Sequence, residues 1–316
     1  MSRPNGLLAH VSVDRIRDHI RRLEGIRHPV VDPDALEQAA EYIDTLFRSL
    51  GYSVEPHVFR QGDRQYRNII ATRRGQRHPE ERVMVIAHYD TVSVSPGADD
   101  NASGVAVLLE LATILEPAQF DRTVQFIAVN LEERQSEGPM DESALFGSRA
   151  LAAHTREQGW KIEGVVVLET IAYAGETIVQ KAPKALPVEL PDYGDFIAIV
   201  GNEASAGLVQ TFVQATERHQ IPLSVVPLVV PGRGEMLPDT RRSDHSAFWD
   251  QGYRAVMVTD TADFRNPNYH QPTDTLDTLN LPFATQVCRL VGGVVLDLSF
   301  VSSQPRAHEV GQNQAA

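Results

Sequence analysis

Cysteine is almost absent from this sequence, since Cys288 is the only one among 316 residues. A single cysteine excludes a disulfide within the chain and a metal site built from thiolates. Any metal site here must therefore use histidine and carboxylate ligands. Cys288 lies in an apolar segment near the end of the sequence, so we expect it to be a buried thiol in the core.

The sequence also lacks an excess of basic residues and a long apolar run. With 29 Lys and Arg against 42 Asp and Glu, the formal net charge is −13, so no broad basic surface for nucleic acid is expected. No segment has the unbroken run of about 20 apolar residues that spans a membrane, and the Arg-rich residues 1–28 lack the apolar stretch of a signal peptide. We therefore expect a cytoplasmic protein with no nucleic-acid or membrane partner, of unknown oligomeric state.

Hydrophobic residues make up 42% of the sequence, enough for a full core, and their spacing predicts an α/β fold. Residues 32–51 have a capping Asp, a first-turn Pro and the apolar period of a helix. Short apolar runs then alternate with helical segments up to a last helix at 281–302, which is typical of a mostly parallel, twisted sheet with helices on both faces, an α/β/α sandwich. The other predicted elements are edge strands of a hairpin at 52–59 and 66–71, strands at 83–87, 124–129, 165–168, 196–200, 224–230 and 255–258, and helices at 103–115, 144–158, 204–219 and 243–251.

We expect one domain over residues 1–302 and a polar, disordered tail at 303–316. Two loops, 134–145 and 231–242, are longer than packing requires, and such loops are often functional. The first loop either forms an acidic rim around a pocket or is simply solvated, and its acidic residues are Glu137, Asp141 and Glu142.

Acidic residues and histidines follow the apolar runs at the points where the predicted strands end. His88 and Asp90 close the first run, Glu132 and Glu133 the second, and Glu169 the third. In parallel sheets ligands bind beyond the carboxyl ends of the strands. Carboxylates and imidazoles gathered at one such edge would repel or desolvate one another unless cations lay among them. The sequence therefore favours a pair of divalent metal ions at this edge.

These strand ends belong to a longer series of motifs. In chain order the motifs are His88-Tyr89-Asp90, Asp100-Asn101-Ala102-Ser103-Gly104, Glu132-Glu133, Phe146-Gly147-Ser148-Arg149, Glu169, Ser243-Asp244-His245, Tyr269-His270 and Asp274-Thr275. As an ordered set they are specific, although each alone is weak. Their order resembles family twenty-eight metallopeptidases, the co-catalytic dizinc aminopeptidases, over roughly residues 65–300.

The resemblance implies a zinc-exopeptidase-like fold and a site for two zinc ions. One zinc would be held by His88, Asp100 and Glu169, and the other by Asp100, Glu133 and His270, so that Asp100 bridges the two. Cobalt or manganese could bind the same oxygen and nitrogen ligands.

The resemblance also implies the catalytic roles. Glu132 would be the general base that activates the attacking water at the metals, and Asp90 would orient the first histidine ligand. Tyr269 would donate a hydrogen bond to the oxyanion. A cis peptide bond between Asp100 and Asn101 is also implied. The expected reaction is hydrolysis of a terminal bond in a peptide or an amino-acid derivative.

The polarity of this exopeptidase is left open by two features of the sequence. Glu169 stands where the family's best-known aminopeptidases carry Asp, and in the family that carboxylate helps to receive the substrate's amine. Three arginines of loop 231–242 could instead bind a substrate carboxylate, which would make a carboxypeptidase. We favour an aminopeptidase and interpret Arg233, Arg241 and Arg242 as surface charges.

Two further alternatives share the scaffold: a one-zinc glutaminyl cyclase and a catalytically dead binding module. Asn101 and the small residues after it fit the peptidases better than the cyclases. All the metal-ligand positions are filled, which argues against a dead module. Asp244 and His245 match the family motif without a ligand role, and we interpret them as the cap of a helix.

Overall fold

Eight strands form a single mixed sheet in the structure, a computed structural model that describes residues 5–134, 143–183, 186 and 188–301. Across the sheet the strand order is β1-β2-β4-β3-β5-β8-β6-β7. The strands are β1 Ser53–Gln61, β2 Arg64–Arg73, β3 His78–His88, β4 Arg122–Val129, β5 Lys161–Glu169, β6 Phe196–Asn202, β7 Ser224–Val230 and β8 Ala255–Thr259.

The central pairings are parallel, as the alternation of strands and helices predicted. Strand β3 runs parallel to β4 and β5, β5 to β8, and β6 to β7. The other pairings are antiparallel, namely β1 with β2, β2 with β4 and β6 with β8. The predicted fold class is confirmed. The prediction that both hairpin strands are edge strands is wrong for β2, because β4 pairs with its second side.

Helices cover both faces of the sheet. The larger core contains buried side chains of α1, α2, α3, α5 and α7, and the smaller core on the other face contains those of α4 and α6. The helices are α1 Val13–Leu23, α2 Pro33–Ser49, α3 Gly104–Ile114, α4 Phe146–Glu157, α5 Ala206–Arg218, α6 His245–Asp250 and α7 Leu281–Ser299.

The N-terminal part of the chain contributes a helix that the sequence analysis did not predict. The Ser12 side chain caps α1 by accepting from the Arg15 N–H, and the helix buries Ile16, Ile20 and Leu23. The predicted helix α2 begins as expected, since the Asp32 side chain accepts from the Ala35 N–H. Because charged residues dominate α1 between its apolar positions, its buried stripe was less conspicuous than that of α2.

The last helix, α7, carries Cys288, whose side chain is fully buried as predicted. Among the described residues it is also the one helix that is long and apolar enough to cross a membrane. Its apolar side chains pack inside the larger core against α1, α3 and α5, and a core helix passes the same length test. The predicted tail and the acidic residues Glu137, Asp141 and Glu142 lie outside the described residues, and the single-domain boundary stays a prediction.

Candidate active site

The carboxyl edge of the parallel strands brings the predicted site residues together. Strand β3 ends at His88 and β5 ends at Glu169, while Glu132 and Glu133 follow β4 after Leu131, whose positive φ of 56° turns the chain. The remaining predicted residues come from two loops. Those residues are Asp90 and Asp100 in the loop after β3, and Tyr269 and His270 in the loop after β8.

Two groups of three potential ligands meet at Asp100. Its Oδ1 lies 3.3 Å from Nε2 of His88, whose Nε2 is also 3.5 Å from Oε2 of Glu169. Its Oδ2 lies 3.1 Å from Nε2 of His270, which is 3.2 Å from Oε1 of Glu133. Each oxygen of one carboxylate therefore faces a different histidine. The peptide bond from Asp100 to the next residue is cis, as the resemblance implied.

The polar atoms at the centre of these groups fit a bound cation. Nε2 of His88, Nε2 of His270 and Oδ2 of Asp100 are buried and make no hydrogen bond. Buried polar atoms of this kind are costly unless something compensates them. Imidazole nitrogens and carboxylate oxygens are the ligands from which sulfur-free zinc sites are built. The side chains therefore fit a divalent metal such as zinc.

The charges of the site lead to the same conclusion. Burial raises the pKa of Glu133 to about 7, and the nearby Asp100 carboxylate adds to this shift. Although burial opposes it, the carboxylates of Glu133 and Asp100 raise the pKa of His270 to about 11. These shifts arise because several carboxylates lie close together in a buried place, where their negative charges repel one another. Divalent cations would relieve that repulsion.

Asp90 is buried next to His88 and contacts the glutamate pair. Nδ1 of His88 lies 3.2 Å from the backbone oxygen of Asp90 and 3.5 Å from its Oδ1. The two carboxylate oxygens accept the backbone N–H groups of Glu132 and Glu133, each at 3.1 Å. Asp90 thus fixes the backbone of both glutamates in addition to facing the histidine.

Glu132 belongs to neither ligand group. Its Oε2 lies 4.0 Å from Nε2 of His88, and burial raises its pKa well above the ordinary value. Tyr269 stacks on the ring of His270 with 3.9 Å between the ring centroids. Burial raises the pKa of Tyr269 well above its usual value, so its hydroxyl stays protonated and can donate a hydrogen bond.

An apolar pocket adjoins the metal-ligand groups, and the sequence analysis did not identify it. Glu169 and Tyr269 form part of its wall. The apolar residues of the wall come from three strands and two loops, so no local sequence pattern marks them as a unit. They include Leu186, Leu190, Val226, Leu228, Met257 and Phe264.

The three arginines of loop 231–242 are each paired with a carboxylate, although Arg242 is half-buried in the wall of the pocket rather than a simple surface charge. Their partners are Glu235 at 3.0 Å from Arg233, Asp250 at 2.9 Å from Arg241, and Asp263 at 2.9 Å from Arg242. Arg242 also lies over the ring of Tyr269, with 5.7 Å to its centroid.

The interpretation of Asp244 and His245 as a helix cap is wrong. Asp244 stands at the start of α6 but makes no capping hydrogen bond with its side chain. Its carboxylate is instead buried beside the site, and this burial raises its pKa to about 7. Nε2 of His245 lies 2.8 Å from the backbone oxygen of Thr240, which ties α6 to the preceding loop.

Comparison with known proteins agrees with this geometry. The sequence profile of peptidase family M28 matches residues 68–295. The uncharacterised protein YfbL of Escherichia coli (strain K12) is 35% identical over 90% of this chain and 87% of its own length. Leucine aminopeptidase 1 of Arthroderma otae is 26% identical over 93% of this chain and 76% of its own length.

Among solved structures, a glutaminyl cyclase of Macrostomum lignano superposes with a TM-score of 0.73 at 20% identity, covering 95% of this chain and 94% of that one. At this identity the likeness concerns the fold alone. The profile match, in contrast, covers most of the chain and includes every residue of both ligand groups. This chain therefore belongs to peptidase family M28.

Proposed function

We propose that this protein is a two-zinc aminopeptidase that removes an apolar residue from the N-terminus of peptides. The observation that carries the proposal is the position of Asp100, whose two oxygens face His88 and His270 in separate three-ligand groups. A carboxylate placed in this way suits two metal ions that share it.

The residues around the ligands suit peptide hydrolysis. Metal ions bound here would polarise the scissile carbonyl and lower the pKa of the attacking water. Glu132, outside both ligand groups, accepts the proton of the attacking water and passes it to the leaving amine, since burial has raised its proton affinity. The Tyr269 hydroxyl donates a hydrogen bond to the oxygen on which negative charge develops.

The surroundings of the site favour the amino end of a substrate. The carboxyl groups of Glu132, Glu169 and Asp244 are buried close enough to influence one another electrostatically. Together they suit the binding of a cationic amine. Arg242, the arginine in the wall of the pocket, already pairs with Asp263 at 2.9 Å and is therefore less suited to bind a substrate carboxylate. The apolar pocket beside Glu169 and Tyr269 suits an apolar side chain next to the scissile bond.

A single set of peptides tests this function. We expect the protein to hydrolyse a peptide with an N-terminal leucine and the C-amidated form of that peptide. Acetylation of the N-terminus should abolish hydrolysis. Elemental analysis of the same preparation should find close to two zinc ions per chain. Cleavage of the acetylated but not the amidated peptide would show a carboxypeptidase. Pyroglutamate formation from N-terminal glutamine with one zinc per chain would show a cyclase.

A further inference from the structure

Asp274 carries a buried carboxylate that makes two hydrogen bonds to the loop of the shared ligand. Its Oδ1 accepts the backbone N–H of Asp99 at 2.9 Å, and its Oδ2 accepts that of Asp100 at 3.1 Å. Its backbone oxygen accepts the N–H of Ala98 at 3.2 Å. Asp274 therefore accepts hydrogen bonds from three successive backbone N–H groups of one loop.

Asp274 belongs to the turn that follows His270. The backbone of His270 has a positive φ of 58°, and the Asp274 N–H donates to the backbone oxygen of Gln271 at 3.1 Å. This short turn leaves little freedom between His270 and Asp274. The hydrogen bonds of Asp274 therefore connect the loop of Asp100 to the turn of His270, and the facing atoms of these two residues are 3.1 Å apart.

The arrangement on the other side of the site has the same form. There Asp90, two residues after His88, accepts the consecutive N–H groups of Glu132 and Glu133. Each histidine ligand is thus followed by a buried aspartate whose two oxygens hold two consecutive N–H groups of a carboxylate-bearing loop. The side chains of both aspartates are fully buried.

The burial of Asp274 indicates that its hydrogen bonds are not replaceable by water. A neutral amide of the same shape offers one acceptor oxygen in place of two and sets an N–H₂ group against a backbone N–H. Such a side chain would push the loop of Asp100 away.

We infer that Asp274 is a positioning residue for the shared ligand, which sets the separation of Asp100 and His270 by holding the N–H groups of Asp99 and Asp100. This inference rests on the proposed two-metal function. Asp274 touches neither a ligand atom nor the pocket, so its effect on the reaction passes entirely through Asp100.

The test is metal binding by the full-length protein with Asp274→Asn, Asp274→Glu and Asp277→Asn. Asp277 is an exposed residue three positions further along and serves as the matched control. Zinc affinity is measured by competition with a chromogenic chelator, and ligand geometry by the visible absorption spectrum of the cobalt-loaded protein. Circular dichroism of the metal-free proteins establishes that each variant is folded.

We expect Asp277→Asn to match the wild type in both measurements. Asp274→Asn should bind zinc about 10–100-fold more weakly, the usual effect of removing a partner that orients a ligand, with a shifted cobalt spectrum. Asp274→Glu, which keeps a carboxylate one methylene too long, should lose several-fold and shift the spectrum less.

Wild-type affinity and an unchanged spectrum in Asp274→Asn would overturn the inference. If that variant does not fold, Asp274→Glu decides, and identity with the wild type in both measurements overturns it. A wild-type protein that binds no zinc would instead refute the proposed function, so the two failures are distinguishable.

Discussion

The hydroxyl of Ser243 donates a 2.6 Å hydrogen bond to Oε2 of Glu169, and both side chains are buried. The same oxygen lies 3.5 Å from Nε2 of His88. A hydroxyl that donates to one oxygen of a carboxylate restricts its rotation, so Ser243 holds Glu169 in the orientation in which it faces the histidine.

Replacing Ser243 with alanine removes this restriction, and we expect zinc affinity to fall about 10-fold, the lower end of the usual range for such partners. Chelator competition measures the loss. Ser246→Ala is the matched control, because the buried hydroxyl of Ser246 donates only to the backbone oxygen of Ser243, at 2.9 Å. Equal affinities in the two variants would show that the hydrogen bond to Glu169 has no part in metal binding.

Replacing Glu132 with glutamine keeps the shape of the side chain but removes its ability to accept a proton. Because Glu132 belongs to neither ligand group, we expect the variant to retain its zinc while kcat falls by about 10²–10⁴-fold, the usual loss for a general base. Turnover and metal content are measured on one preparation, with the exposed Glu157→Gln as control. An unchanged kcat would remove Glu132 from the reaction.

Replacing Val226 with phenylalanine should narrow the apolar pocket, whose wall includes this residue. For a substrate with an N-terminal leucine we expect kcat/KM to fall about 10-fold or more, since a misfit of a methylene in an apolar pocket costs about 1–3 kcal/mol. For a substrate with an N-terminal alanine, whose side chain is smaller, we expect a smaller fall. Val225→Phe is the control, because Val225 packs on the opposite face of the sheet. Equal losses for both substrates would argue against this pocket as the side-chain site.

His19 should make the fold sensitive to acid. It is buried in α1 with Nδ1 2.6 Å from the Tyr42 hydroxyl, and burial lowers its pKa to about 4. Because the unfolded chain takes up this proton near pH 6.5, stability is complete above that pH and falls as the pH drops toward 4.

The expected contribution of His19 to this loss is about 2 kcal/mol at pH 5. Urea unfolding of the metal-free protein at pH 7.5 and pH 5 measures it as the difference between the wild type and His19→Gln. The exposed His10→Gln is the control. If His19→Gln loses as much stability between the two pH values as the wild type, His19 is not the source of the sensitivity.

Three of the five potential metal ligands could be located from the sequence pattern because they lie at strand ends, whereas Asp100 and His270 were indicated only by the family resemblance. His88 and Glu169 are the last residues of two strands, and Glu133 follows a third. A continuous apolar run marks a buried parallel strand, and neighbouring parallel strands end at one edge. The one-dimensional order of these residues therefore already indicated that they would lie near one another.

The direction of one strand pairing and the position of another strand in the sheet could not be predicted in this way. Strand β6 is antiparallel to β8, and β2 fills an interior position between β1 and β4. Apolar runs show that a strand is buried but carry no signal for its neighbour or for its direction. The pocket beside Glu169 depends on the same choice, since strands β6, β7 and β8 form much of its wall.

By itself, then, the sequence determined the fold class, because strand and helix periodicity is a local property, and the order of its motifs implied, through the family resemblance, the two groups of potential ligands that meet at Asp100. Apart from Asp90, which the sequence already placed beside His88, only the tertiary structure decided which side chains hold those residues in place. Asp274 reaches Asp99 across 175 positions, Ser243 reaches Glu169 across 74, and the buried Arg27 reaches the backbone oxygen of Gly97 across 70. Such hydrogen bonds leave no periodicity in the sequence, because they depend on how distant segments pack.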